Sequence, residues 1–377
     1  MIPVNEPRLE NREREYVLKC LESGWISSAG QFIREFEDSW AKYCGMQHGV
    51  STSNGTTALQ TAVACLGLDP GDEVIIPTFT IISCALAVIY NGGDTVLVDC
   101  DPDTWCMDVN QVEAKITSRT RAIMPVHIYG HPVDMDPLLN LADKYDLTII
   151  EDAAEAHGAQ YMTDRESPDA KWKRCGGLGH ISTFSFYANK LITSGEGGMI
   201  LTNSPDQAEK ARGLRNLCFQ RQRRFYHTEL GHNFRLTNLQ AAIALAQVER
   251  IPEIISRKRW MGQAYTEQLQ DISELQLPVE KPWANQVYWM YGVVLDESRG
   301  LSASELSMQL RELGIETRPF FLGMHEQPAF VERGLFSNVE YPVSERLSRQ
   351  GLYLPSGLAL TESQLDQVCH AMRQTIS

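Results

Sequence analysis

FSFYANKLITSGEGGMI, Phe184–Ile200, sets one lysine, Lys190, between two apolar segments and follows it with Gly195, Gly197 and Gly198. A lysine closing a buried aromatic strand lies against apolar surface. Burial disfavours its ammonium form and leaves the amine nucleophilic, as covalent attachment to an aldehyde requires. The stretch also suits a plain hairpin with the lysine reaching for solvent. Its neighbours along the chain separate the two readings.

Upstream, short β-branched strands alternate with helices of about 11 residues, the usual length of a globular helix. GVSTS (49–53), EVIIP (73–77), TVLVD (95–99), RAIMPV (121–126) and LTIIED (147–152) read as strands. Helical segments lie between them, the one near 108–116 included, and two amphipathic helices precede them at 10–22 and 31–43. STFSFY (182–187) and GGMILT (197–202) add two strands around the opening stretch. This order predicts an α/β fold with a largely parallel sheet covered on both faces. Beyond the helices at 237–249 and 253–270 the texture changes to a strand QVYWMYGVVL (286–295), a helix at 302–314, a strand near 316–321 and two closing helices. The expected division is a large domain over 1–250, N-terminal helices included, and a smaller α/β domain over 251–377. The segment 162–177 is polar and reads as an exposed loop.

Ligands of open α/β sheets gather beyond the C-terminal strand ends. After the first strand, SNGTT (53–57) opens a helix, where Gly55 permits close approach and the helix N-terminus favours phosphate; an ordinary N-cap explains it equally. After LTIIED, Glu151, Asp152 and Glu155 crowd together, an arrangement that needs a cation nearby. After the sixth strand, STFSFY, comes Lys190. A phosphate cradle (Gly55, Thr56, Ser185), an acid (Asp152) and an amine (Lys190) are what pyridoxal 5′-phosphate requires.

These residues lie in phrases, SNGTTAL, GDEVIIPTFT, VHIYGHPVDMDP, IEDAAEAHGA, FSFYANKLITSGEGGM and LGHNFRLTNLQAAIALAQ, in which the chain resembles the DegT/DnrJ/EryC1/StrS sugar aminotransferases. The resemblance implies the fold-type I architecture of pyridoxal-phosphate-dependent aminotransferases. It also implies that Lys190 bonds to the cofactor aldehyde, that Asp152 pairs with the pyridine nitrogen, and that Ser185, Gly55 and Thr56 hold the phosphate. Asn233 is implied to reach the phosphate of a neighbouring subunit, hence a homodimer with shared sites, and Glu155 stands beside the ring where Gln is frequent. Ile81 replaces an aromatic residue that commonly stacks on the ring; Phe79 is the alternative stacking candidate. His180 and His232 also depart from the usual pattern.

Within the family the likeness is to the branch that makes GDP-perosamine, carried by IPVNEPRL, GWISSAG, PTFTIIS and RFYHTELGHNFRLTN. It implies amination of GDP-4-keto-6-deoxy-D-mannose at C4 with L-glutamate as donor, in assembly of a surface polysaccharide such as the O-antigen of lipopolysaccharide. A UDP- or dTDP-linked sugar, or reaction at C3, stays open, as does a non-catalytic regulatory protein on this fold. RGLRNLCFQRQRRFYH (212–227) carries five arginines and no acid in a chain of net charge −14. Arg212, Arg215, Arg221 and Arg224 are therefore candidate pyrophosphate ligands, joined by Tyr187, Arg318 and His325. The negative charge argues against broad nucleic-acid or membrane-surface binding. Nine cysteines without a C-x-x-C pair point to reduced, mostly buried thiols and no metal site. No apolar run approaches a membrane span, and MIPVNEPRLENRERE lacks the apolar core of a secretory leader; a cytoplasmic protein is expected.

Overall fold

The structure is a computed structural model that describes residues 1–220 and 222–376, without the side chain of Arg299. The first half builds helices α1 (Asn11–Ser23) and α2 (Gln31–Cys44), strand β1 (His48–Thr52), α3 (Gly55–Leu66), β2 (Glu73–Pro77), α4 (Ser83–Tyr90), β3 (Asp94–Val98), β4 (Thr120–Ile123), α5 (Met135–Tyr145) and β5 (Thr148–Asp152). There follow β6 (Gln160–Thr163), β7 (Lys171–Arg174), β8 (Ile181–Ser185), β9 (Gly198–Thr202), α6 (Pro205–Leu214), α7 (Asn238–Val248) and α8 (Ile251–Leu269). The remainder forms β10 (Leu275–Gln276), β11 (Ala284–Asn285), β12 (Tyr291–Leu295), α9 (Ala303–Glu312), β13 (Arg318–Pro319), α10 (Pro328–Val331), α11 (Pro342–Gln350), β14 (Gly351–Leu354) and α12 (Glu362–Ile376).

Seven strands make the main sheet in the order β1-β9-β8-β5-β4-β2-β3. All pairings from β8 to β3 are parallel, and β9 runs antiparallel to both of its neighbours. β1, β8 and β5 therefore share one direction, and the residues after them emerge at one edge. β2, β8 and β9 are buried along their whole length, as strands covered on both faces must be. α3 begins where it does because Asn54 accepts from Thr57 N at 2.9 Å while its own N–H donates to Thr57 Oγ1 at 3.1 Å, a reciprocal cap. A four-stranded sheet, β10-β12-β14-β13, supports a second hydrophobic cluster that gathers Met261, Tyr265, Leu306, Leu354 and Met372 and takes in Ile2 from the other end of the chain.

Three segments differ from expectation. Residues 162–177 are not a loop throughout: β6 and β7 pair as a hairpin, and β11 adds a third strand to it. All four residues of β7 are exposed, so no alternating apolar pattern marks it. The predicted helix near 108–116 is two short 3₁₀ turns, Val109–Gln111 and Glu113–Lys115. Only Tyr291–Leu295 of QVYWMYGVVL is strand. Before it, Tyr288 takes a left-handed φ of 47°, which ends regular pairing and turns the next residue, Trp289, toward the main sheet.

Candidate active site

The three strand ends bring Gly55, Asp152 and Lys190 together. Gly55 starts α3 directly against Ser185: a Cβ there would lie 2.6 Å from Ser185 Cβ, closer than packed atoms approach, so the position demands glycine. Thr56 Oγ1 is 2.8 Å from Ser83 Oγ, and Ser185 Oγ receives only a long 3.4 Å bond from Tyr187 N. Hydroxyls and the first N–H groups of a 12-residue helix thus converge on one spot, the arrangement that binds phosphate. Gly198 answers the question of the trailing glycines. It pairs with both Thr52 and Ser185, and a Cβ there would lie 2.2 Å from the Asn54 carbonyl. Gly195 takes a φ of 80°, where glycine alone is unstrained.

Asp152 is 1% exposed. One oxygen accepts from Ala154 N at 3.0 Å and the other from the Cys84 thiol at 3.3 Å. Burial raises its pKa, against the pull of those bonds and of Lys190. Glu155 Oε2 accepts from Tyr129 N at 2.7 Å, and Oε1 lies 3.6 Å from Lys190 Nζ. Burial pushes the Glu155 carboxyl up to about 7, partly offset by Lys190. Burial lowers the Lys190 pKa, and Glu155 and Asp152 oppose it. An amine whose pKa is lowered beside a carboxyl whose pKa is raised suits proton transfer. Among the described residues the cation beside Glu155 is Lys190. Glu151 lies apart from them, as alternation along β5 dictates. It accepts from His127 Nε2, from Gly176, Leu178 and Gly179 N–H groups and from Ser182 Oγ. Cys175 stands close to His127 and Glu151, but Val133 N donates to His127 Nδ1 at 2.9 Å, so Nε2 carries a proton toward Glu151 and that nitrogen is not free for a metal.

Other predicted residues fall elsewhere. Phe79 is 1% exposed and packs on Tyr129, Phe320 and Phe321, so its ring is committed to the core and is not a stacking surface; Ile81, in the turn between β2 and α4, is 43% exposed. His325 is buried with Nδ1 2.9 Å from Thr78 Oγ1 and Nε2 3.2 Å from Glu345, which leaves neither nitrogen for a substrate. Arg318 pairs with Glu316 at 2.7 Å, and Tyr187 is exposed. Arg221 lies outside the described residues. Arg215 donates to Glu37 and to the Ser51 carbonyl, each at 2.5 Å, a structural role. Arg212 and Arg224 line a cavity of about 480 Å³ together with Arg215, Arg235 and Ser28. Asn233 is exposed and bridges Asn216 through its backbone. The residue that sequence reasoning missed is Trp289, whose ring centroid lies 3.6 Å from Lys190 Nζ. Its place within an apparent strand concealed it; the only signal was an aromatic run too rich for a five-residue strand.

A lysine set among buried carboxylates at one edge of a mostly parallel sheet agrees with the pyridoxal-phosphate-dependent aminotransferases, the class to which the chain belongs. Residues 7–373 match the DegT/DnrJ/EryC1/StrS aminotransferase family, and the chain is a member of it. It is 44% identical to GDP-perosamine synthase of Caulobacter vibrioides, covering 100% of this chain and 98% of that one. It is 39% identical to GDP-perosamine synthase of Escherichia coli O157:H7, with 100% and 99% covered. The solved structure of DesV from S. venezuelae superposes with a TM-score of 0.88 at 34% identity, covering 97% and 94%. No helix among the described residues is long and apolar enough to cross a membrane. All nine cysteines are free thiols.

Proposed function

We propose that this chain transfers the amino group of L-glutamate to C4 of GDP-4-keto-6-deoxy-D-mannose, giving GDP-perosamine and 2-oxoglutarate. The observation that carries the reaction type is Lys190, its side chain 10% exposed, facing Glu155 at 3.6 Å at the edge where Asp152 and the Gly55 cradle also emerge. The substrate follows from full-length likeness to two GDP-perosamine synthases.

The residues fit pyridoxal 5′-phosphate. Gly55, Thr56 and Ser185 would hold its phosphate, Asp152 its ring nitrogen, Glu155 the ring edge beside Lys190, and Lys190 its aldehyde carbon. When bound, the cofactor supplies that aldehyde and an electron-withdrawing ring. Asp152, buried and carrying only two bonds, keeps a carboxylate where a ring N–H would need an acceptor. Lys190 Nζ would hold and return the proton. The Trp289 ring, 3.6 Å from that nitrogen, would help exclude water from it.

The arginine-lined cavity is the candidate subsite for the pyrophosphate, with Arg212 and Arg224 carrying free donors. A second copy of the chain would cover the surface beside it. Phe225 is 82% exposed and Leu230 is 95% exposed, and apolar side chains clustered on one excursion mark an interaction surface. Asn233, on the same excursion, would reach the partner's phosphate site.

Purified protein is expected to show an absorbance band from bound pyridoxal phosphate, bleached by L-glutamate. Lys190→Ala should form no covalent adduct on borohydride reduction. A panel of keto-sugar nucleotides fixes the substrate: turnover of a dTDP-linked sugar without turnover of the GDP-linked one refutes the assignment.

A further inference from the structure

Among the described residues, Lys190 Nζ makes two close side-chain contacts. One is Glu155 at 3.6 Å, beyond hydrogen-bond length. The other is the Trp289 ring, 3.6 Å from its centroid. The ring is held from three sides. Its Nε1 donates to the Asn189 carbonyl at 2.8 Å, the residue next to the lysine. The Trp289 backbone carbonyl accepts from Lys258 Nζ at 2.9 Å, and that buried group also donates to the Ser356 carbonyl. Tyr129 stacks on it at 6.1 Å and 25°, and the Tyr129 N–H is the same group that fixes Glu155.

We propose that Trp289 is the resting surface for the Lys190 ammonium whenever that lysine is not bonded to the cofactor, and so a positioning residue for its proton transfers. The proposal rests on Lys190 being the cofactor lysine. An aromatic face attracts an ammonium through its quadrupole, most strongly where water is excluded. It offers no acceptor lone pair that must be broken before the amine swings away. A carboxylate at bonding distance would trap the proton, whereas a π face with Glu155 set back keeps the charge near and lets it leave. The charged or titratable groups around Lys190 are Asp152, Glu155, Cys84 and His157, and none of them replaces the ring.

The test uses the full chain with cofactor removed and all seven tryptophans replaced by mono-, di- or trifluorotryptophan. Fluorine draws charge from the ring face with little change of shape. Lys190 is labelled by formaldehyde and cyanoborohydride across a pH series, and its midpoint is read by peptide mass spectrometry. Trp289 is the one tryptophan over Lys190 among the described residues, so this lysine reports on that ring alone. The expected result is a midpoint that falls with each fluorine, by about one pH unit in all. Lys144, which lies over Tyr145, should not move. A Lys190 midpoint independent of fluorine number, or one that moves together with Lys144, overturns the proposal. Failure of unfluorinated protein to trap pyridoxal phosphate on Lys190 under borohydride would instead refute the parent reading.

Discussion

Lys258 gives the sharpest stability prediction. It is 2% exposed, and among the described residues its amine has only the carbonyls of Trp289 and Ser356 as acceptors. Burial alone lowers its pKa, from 10.5 to about 7. In the unfolded chain the group returns to its ordinary value, so between about pH 7 and 10.5 the unfolded state binds a proton that the folded state has released. Stability from this site is therefore complete above the unfolded value and is lost as pH falls to about 7. Between pH 7 and 9 the linkage amounts to at most about 2 kcal/mol. For 377 residues that corresponds to roughly 3 °C in melting temperature. Lys258→Met removes the titration. It also strands two carbonyls, a cost of about 1–3 kcal/mol each that does not depend on pH. The measurement is the melting temperature of both proteins, free of cofactor, at pH 7 and pH 9. The variant's deficit should be about 3 °C larger at pH 9 than at pH 7. A deficit constant across that range would refute the reasoning.

Glu155→Gln removes the carboxylate that favours the Lys190 ammonium, so the labelling midpoint of Lys190 should fall by about one unit or more; an unchanged midpoint would show that the pair is not coupled. Gly55→Ala sets a methyl 2.6 Å from Ser185 Cβ, and the strain of about 1–3 kcal/mol should weaken retention of pyridoxal phosphate about tenfold or more in equilibrium dialysis. Arg215→Met leaves Glu37, its side chain 10% exposed, without its cation and should cost about 3–5 kcal/mol in urea denaturation. Arg224→Ala, altering an exposed side chain of the same cavity, should leave that midpoint in place and raise the KM for the sugar nucleotide.

The alternation of strands and helices was legible because the buried strands are short, apolar and bounded by turns, and several helices, α3, α6, α7 and α9 among them, carry a side-chain cap. Lys190, Asp152 and Gly55 were legible for a related reason: the sheet's topology makes strand ends converge, so residues far apart in sequence meet without any side chain having to be placed. What stayed hidden depends on contacts that no local pattern records. β7 pairs with β6 while all its side chains face solvent, so it reads as loop. Arg215 looks like its neighbouring arginines until Glu37 is set beside it. His325 reads as a free ligand until Thr78 and Glu345 occupy its two nitrogens. Trp289 belongs to the smaller sheet's approach and reaches Lys190 only through the left-handed turn at Tyr288.

Ile2 carries a consequence for how the protein is made. It sits in the second hydrophobic cluster, bridged to Ile315, and Val4 N donates to Glu316 across 312 residues. On a ribosome moving at about 5–20 residues per second, that segment waits roughly 15–60 s for its partners. The large sheet can close in the meantime, with the beginning of the chain still loose. A bulky fusion placed directly before Ile2 would therefore act late, on closure of the second cluster, and leave the catalytic edge already formed.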